Sequence, residues 1–128
     1  MTDKPESNDA DKKEDKVEEV EPIVTSHSIT VNNETLSYTA TTGKMPLKNE
    51  KDDIEAQIFF TSYSLDNVEN KAERPLIFVF NGGPGSASIW LHMGALGPHR
   101  VDMGAEGFLP APPYHLVEND YTWLDLGD

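Results

Sequence analysis

The sequence has no cysteine, which excludes disulfides and thiolate chemistry. Basic residues are scarce: 10 Lys and Arg stand against 23 Asp and Glu, for a net charge of −13. Nothing in it forms the basic patch or stripe that marks a nucleic-acid surface, so no nucleic-acid partner is expected. No apolar run approaches the roughly 18 residues that suggest a membrane span, and no basic start with an apolar core marks a secretory signal. The expected product is soluble and cytoplasmic, with no membrane partner. Lysine is also missing from the whole stretch after Lys71, and that absence bears on the most unusual segment of the chain.

The charge is uneven. Met1–Pro22 carries nine acidic residues against four lysines and almost nothing apolar before Val17. Such a segment cannot bury enough surface to offset its ordering entropy, so residues 1–22 read as a disordered acidic tail. Ile23–Asp128 reads as the globular part. His27–Val31 (H-S-I-T-V) and Glu34–Ala40 (E-T-L-S-Y-T-A) alternate apolar and polar around Asn32-Asn33, the pattern of a hairpin. Thr42–Asp53, with Gly43, Pro46 and several charges, reads as a loop. Glu55–Ser64 is rich in aromatic and β-branched residues and reads as a third strand. Leu65–Glu73 is polar and reads as a turn with room for a short helical piece.

Leu76-Ile77-Phe78-Val79-Phe80 does not alternate, which predicts a strand covered on both faces. It runs into Asn81-Gly82-Gly83-Pro84-Gly85. A short helix follows, with Ser86 or Ser88 as its cap and Ile89, Met93 and Leu96 on one apolar face. Gly97-Pro98 ends it. Arg100–Val117, with two glycines and three prolines, reads as an irregular excursion, and Asn119–Leu126 as the start of another element. The order predicts an α/β fold: antiparallel strands, then a buried strand, a glycine turn and a helix. Leaving five large apolar side chains of Leu76–Phe80 half covered forfeits several kcal/mol, against about 5–15 kcal/mol for a whole domain. The 128 residues alone are therefore expected to fold poorly and to be a piece of a larger protein.

A glycine turn between strand and helix has three common uses. A P-loop needs G-x-x-x-x-G-K-[ST], and no lysine follows the turn. A dinucleotide fingerprint needs a third glycine where Ser88 stands. The third use is an oxyanion hole, in which backbone amides face the oxygen that becomes negative in acyl transfer. Glycine permits the required backbone and close approach of substrate. The plainer alternative is a tight turn that merely starts a helix.

N-G-G-P-G-S-A-S at Asn81–Ser88, the following helix, Gly97-Pro98 and the N-D-Y-T-W of Asn119–Trp123 together resemble the serine carboxypeptidase family. The resemblance runs from about Ile54 to the last residue. It implies an α/β-hydrolase fold, of which this chain would hold an incomplete N-terminal portion, residues 23–128. It implies a serine-type peptidase acting near a free peptide C-terminus through an acyl-enzyme. By position, Gly83 would donate its backbone amide to the oxyanion, and Asn81 and Gly82 would bind the C-terminal carboxylate of a peptide substrate. Members that remove single C-terminal residues usually carry Trp where Val79 stands and Glu where Ala95 stands, both in the carboxylate-binding network. Ser86 occupies the family's cysteine position, so the chain looks like a bacterial-type member more than a secreted eukaryotic one.

The nucleophile elbow G-x-S-x-G is absent from these 128 residues, and in α/β-hydrolases Ser, Asp and His follow the oxyanion loop. The fragment is thus expected to be inactive alone. Neither metal nor cofactor is expected: Gly94 and Gly97-Pro98 separate His92 from His99, His115 has no acidic or histidine partner at ligand spacing although Glu118 is near, and His27 lies in the first strand. Asp125 and Asp128 read as a solvated turn. Two other readings share the loop. One is a proline iminopeptidase-like aminopeptidase, whose related loop begins with His rather than Asn. The other is a non-catalytic protein that binds a carboxylate terminus.

Overall fold

The computed structural model describes residues 19–128. The expected acidic tail lies outside the described residues up to residue 18. Within the described end of that tail, Glu19 reaches the Lys48 ammonium at 2.5 Å.

Three strands form an antiparallel sheet in the order β1-β2-β3: β1 is Ile23–Val31, β2 Glu34–Lys48 and β3 Ile54–Leu65. Asn32 and Asn33 join β1 to β2 with φ of 52° and 65°. Positive φ at both central residues suits the right-handed twist of a two-residue hairpin, and asparagine is among the side chains that tolerate it. The pairing Ile29↔Leu36 and His27↔Tyr38, then Tyr38↔Leu65 and Ala40↔Tyr63, sets one face. On that face lie Ile29, Val31 and Tyr38, with Leu36, Ala40, Tyr63 and Leu65 at the margin. Leu124, from the far end of the chain, completes this small core at 4% exposure. Each full burial of this kind is worth about 1.5–3 kcal/mol.

The loop expected over Thr42–Asp53 is mostly strand. β2 continues to Lys48 because β3 pairs with it throughout, Gly43 opposite Phe60 and Met45 opposite Ile58. β1 stops at the Ile23↔Thr42 pair, so Pro46 lies where β2 has a neighbour on only one side, a place that tolerates a missing N–H. The turn proper is Asn49–Asp53, where Asn49 Oδ1 accepts from the amides of Lys51 and Asp53 at 2.9 and 3.0 Å.

After β3 a short 3-10 turn forms at Lys71–Glu73, capped by Asn70. The buried strand expected at Pro75–Phe80 does not form among the described residues. Leu76, Phe78 and Phe80 are 67–77% exposed. A strand exists only where a neighbour supplies its hydrogen bonds, and here the neighbour is one residue. Asp128 N–H donates to Pro75 O at 2.9 Å, and Ile77 N–H donates to Asp128 O at 2.8 Å. Those two bonds bracket Leu76 as a parallel pairing does.

The helix expected after the glycine turn is present but not uniform. Helix α1, Ile89–Leu91, continues as a π-helical turn at His92–Leu96, closed by Gly97 N–H to His92 O at 3.0 Å. The excursion expected over Arg100–Val117 is irregular only in its middle. Its ends contribute to β4, His99–Val101, and β5, Leu116–Glu118, which pair antiparallel. Asn119–Leu126 is a pair of tight turns rather than a regular element, with Thr122 N–H to Asn119 O and Leu126 N–H to Trp123 O. The whole is a small, sheet-rich α/β unit. Among the described residues no helix is long and apolar enough to cross a membrane.

Candidate active site

The path to the glycine turn starts at the end of β3. Arg74 Nε donates to Asp128 Oδ1 at 2.9 Å, and its Nη2 donates to Leu124 O at 2.8 Å. The same Asp128 oxygen accepts from Leu65 N–H at 3.0 Å. Asp128 is thus a partly buried junction that ties the last residue of β3 to the segment leading into the turn. It is not the solvated turn expected from sequence; Asp125 is the exposed one.

Gly83 and Gly85 adopt φ of +81° and +82°, a backbone that L side chains rarely take. Ser86 N–H closes the turn onto Gly83 O at 3.2 Å. Among the described residues, the N–H groups of Gly82 and Gly83 donate to nothing. Asn81 is partly buried, and its Nδ2 donates to Gly82 O at 3.1 Å. An asparagine has a second Nδ2 hydrogen and an acceptor oxygen besides, so its side chain keeps capacity for a ligand. The three residues singled out in the sequence therefore sit together as one exposed turn.

Ser88 occupies the helix-cap position but does not cap. Its side chain makes no bond to the first helical turn; instead Ser88 Oγ accepts from Asn81 N–H at 3.3 Å. The hydroxyl closes the loop from the far side, and the backbone carbonyl of Ser88 accepts from Leu91 and His92.

A row of rings ties the helix to the sheet: His27 stacks on Tyr38, Tyr38 meets Tyr63 edge-on, and Tyr63 meets His92. Tyr63 and His92 Nε2 share a short hydrogen bond. Burial, aided by the neighbouring Tyr38, pushes the Tyr63 phenol up to about 12, so it stays protonated and donates. Burial also lowers the His92 pKa, favouring the neutral imidazole that can accept. Unfolded, His92 would bind a proton more readily than when folded. Stability from this group is therefore complete above the ordinary histidine range and declines as pH falls below about 6.5. In His92→Phe, the melting temperature followed from about pH 8 to about pH 5 is expected to fall less steeply than in the wild type. An identical slope would show that His92 does not carry this proton linkage.

A cavity of about 220 Å³ beside these rings is lined by residues including His27, Tyr63, Met93, His99 and Leu116. Among the described residues no group of His, Asp or Glu is placed to hold a metal ion.

The arrangement is a glycine turn with unengaged amides, braced from behind by a serine hydroxyl and a short helix. Its wider relationship is shown by comparison. The serine carboxypeptidase family profile matches residues 31–128, and the chain belongs to that family. It is similar to the pheromone-processing carboxypeptidase KEX1 of Saccharomyces cerevisiae, at 29% identity over 90 residues, covering 67% of this chain and 11% of that protein. The protein of the same name from Candida glabrata is 30% identical over 81 residues, covering 63% of this chain and 10% of its own length. The chain thus spans only a small part of the curated relatives it matches. No solved structure matches.

Proposed function

We propose that these residues supply the oxyanion side of a serine carboxypeptidase with an α/β-hydrolase fold. The single observation that carries this reading is Gly83: positive φ, an amide without an acceptor among the described residues, and a place in the family-matched region. A serine nucleophile attacking a peptide carbonyl makes the oxygen negative, and a fixed N–H aimed there stabilises the transition state more than the ground state. Asn81 and Gly82 would meet the free carboxylate of the peptide with uncharged donors, so binding would not depend on a further titrating group. The nucleophile, acid and base would lie on chain outside these 128 residues, in the order Ser, Asp, His. The activity, its peptide substrates and its specificity are proposals for the whole protein. Val79 and Ala95 argue for a looser hold on the carboxylate than the residues usual at those positions would give. What supports a bacterial-type member is the sequence alone: no cysteine, and Ser86 at the motif's cysteine position.

A serine-directed fluorophosphonate probe on the intact protein tests the reaction class. Labelling is expected; a folded protein that stays wholly unlabelled would instead be a carboxylate-binding protein. The carboxylate role has its own measurement. Asn81→Ala is expected to weaken kcat/KM for peptides with free C-termini by about tenfold, the scale of one charge-assisted hydrogen bond. The corresponding peptide amides should lose much less. Equal losses on acids and amides would remove Asn81 from carboxylate recognition.

A further inference from the structure

A helix ends with carbonyls that have no partner within the helix. Here the closing bond of the π-helical turn, Gly97 N–H to His92 O, leaves Ala95, Leu96 and Gly97 with free carbonyl oxygens, and Pro98 follows with no N–H to offer. All four carbonyls of Ala95–Pro98 are met by one short segment, Asn119–Trp123. Asn119 Nδ2 donates to Ala95 O at 2.7 Å and to Gly97 O at 2.8 Å. Thr122 Oγ1 and Trp123 N–H both donate to Leu96 O, at 3.1 and 3.2 Å. Asn119 N–H donates to Pro98 O at 2.9 Å. Asn119 is 1% exposed, and its Oδ1 accepts from Tyr121 N–H at 3.1 Å. Both its side-chain hydrogens and its oxygen are therefore in use.

The other end of the same helix carries the glycine turn. Ser88 O receives the first helical amides, and Ser88 Oγ receives Asn81 N–H. Ile89–Leu96 is only about 12 Å long at 1.5 Å per residue. His92 pins its middle to Tyr63 on the sheet. A body held at one point can pivot, and a second point fixes its direction. We propose that Asn119, with Thr122, is a positioning residue pair for the Asn81–Ser88 turn: by clamping the far end of the helix it fixes where the Gly83 amide lies. This inference rests on the oxyanion reading of the turn given above. Asparagine suits the task because it presents two donors to two carbonyls without a charge to desolvate. Aspartate would set oxygen against oxygen.

The test compares Asn119→Asp, Thr122→Val and Gly83→Ala in the intact protein. Each is read by kcat and KM per fluorophosphonate-titrated active site, and by millisecond deuterium exchange at Asn81 and Ser86, whose amides are bonded within the turn. Thr122→Val keeps the shape of its side chain and serves if Asn119→Asp does not fold. The expected result is kcat lowered by up to about a hundredfold, the cost of misplacing a catalytic group by about 1 Å, with KM nearly constant. Faster exchange at Asn81 and Ser86 should accompany it, and Thr122→Val should show the smaller loss. A lower melting temperature with unchanged kcat per active site and unchanged exchange at both amides would overturn the proposal, leaving a helix cap and nothing more. Should Gly83→Ala lower kcat while the clamp variants do not, the positioning role falls alone. If Gly83→Ala leaves kcat untouched, the oxyanion reading falls and takes the catalytic consequence of the clamp with it.

Discussion

Gly83→Ala is expected to lower kcat by about a hundredfold to a thousandfold with little change in KM, the loss found when one oxyanion donor is removed. The cause is conformational. A methyl built on Gly83 would meet nothing nearer than Ser86 Oγ at 3.5 Å, an ordinary contact. At φ +81°, however, a side chain costs about 1–2 kcal/mol, so the backbone relaxes and turns the amide away from its place. Affinity for a tetrahedral mimic such as a peptide boronate should fall with kcat, while affinity for the cleaved peptide product should not. Gly85 provides the comparison: it has the same φ and no steric neighbour, so Gly85→Ala imposes the same backbone cost without displacing the proposed donor directly. A rise in KM at constant kcat in Gly83→Ala would place the amide on the ground state and remove the oxyanion role.

Gly127→Ala is expected to destabilise the intact protein by about 1–3 kcal/mol, the usual cost of forcing an extra methyl into a filled space. Here the obstacle is backbone: the added carbon would lie 2.6 Å from Pro75 O and 2.9 Å from Ile77 Cδ1. Something must move, and the nearest movable part is Asp128. Its shift would weaken the two main-chain bonds around Leu76, the Arg74 ion pair and the bond from Leu65 N–H. Gly94→Ala meets nothing within 4 Å and should cost little. The midpoint of urea unfolding measures both variants. Equal midpoints for Gly127→Ala and the wild type would mean that the close approach of Gly127 to Pro75 contributes nothing to stability.

Much of the local structure is legible in the sequence. The β1–β2 hairpin follows from alternation around Asn32-Asn33, because a half-buried strand must alternate and a two-residue turn needs side chains that accept positive φ. The glycine turn and the helix after it were legible for similar reasons. What was missed depended on partners distant in sequence. β2 runs through Pro46 to Lys48 because β3 lies beside it, and no local signal in Thr42–Asp53 reports that. The short β4 and β5 are three residues each and pair across an irregular stretch, below what periodicity detects. The composition of Leu76–Phe80 predicts a covered strand, yet composition states only a need for cover. Among the described residues, Asp128 alone pairs with that run.

The candidate site divides the same way. Its glycines and its asparagine were readable as a motif, since only certain residue types permit that backbone and that uncharged hydrogen bonding. The sequence offers Ser86 or Ser88 as the helix cap; Ser88 holds the cap position, but its hydroxyl's partner is the Asn81 amide, which no local signal reports. In the sequence Asn119 is only the first residue of an expected element and part of a resemblance, with no sign of the carbonyls it meets. By itself the sequence determined the hairpin, the turn, the helix start and the family, all of which rest on residue type and spacing along a few neighbouring positions. Only the tertiary structure decided that Asp128 locks the approach to the turn, that the helix hangs on Tyr63, and that Asn119, Thr122 and Trp123 together close four carbonyls at its far end. Those are hydrogen bonds between groups far apart in the chain, up to 63 residues for Leu65 and Asp128, and their geometry is set by how the chain returns on itself.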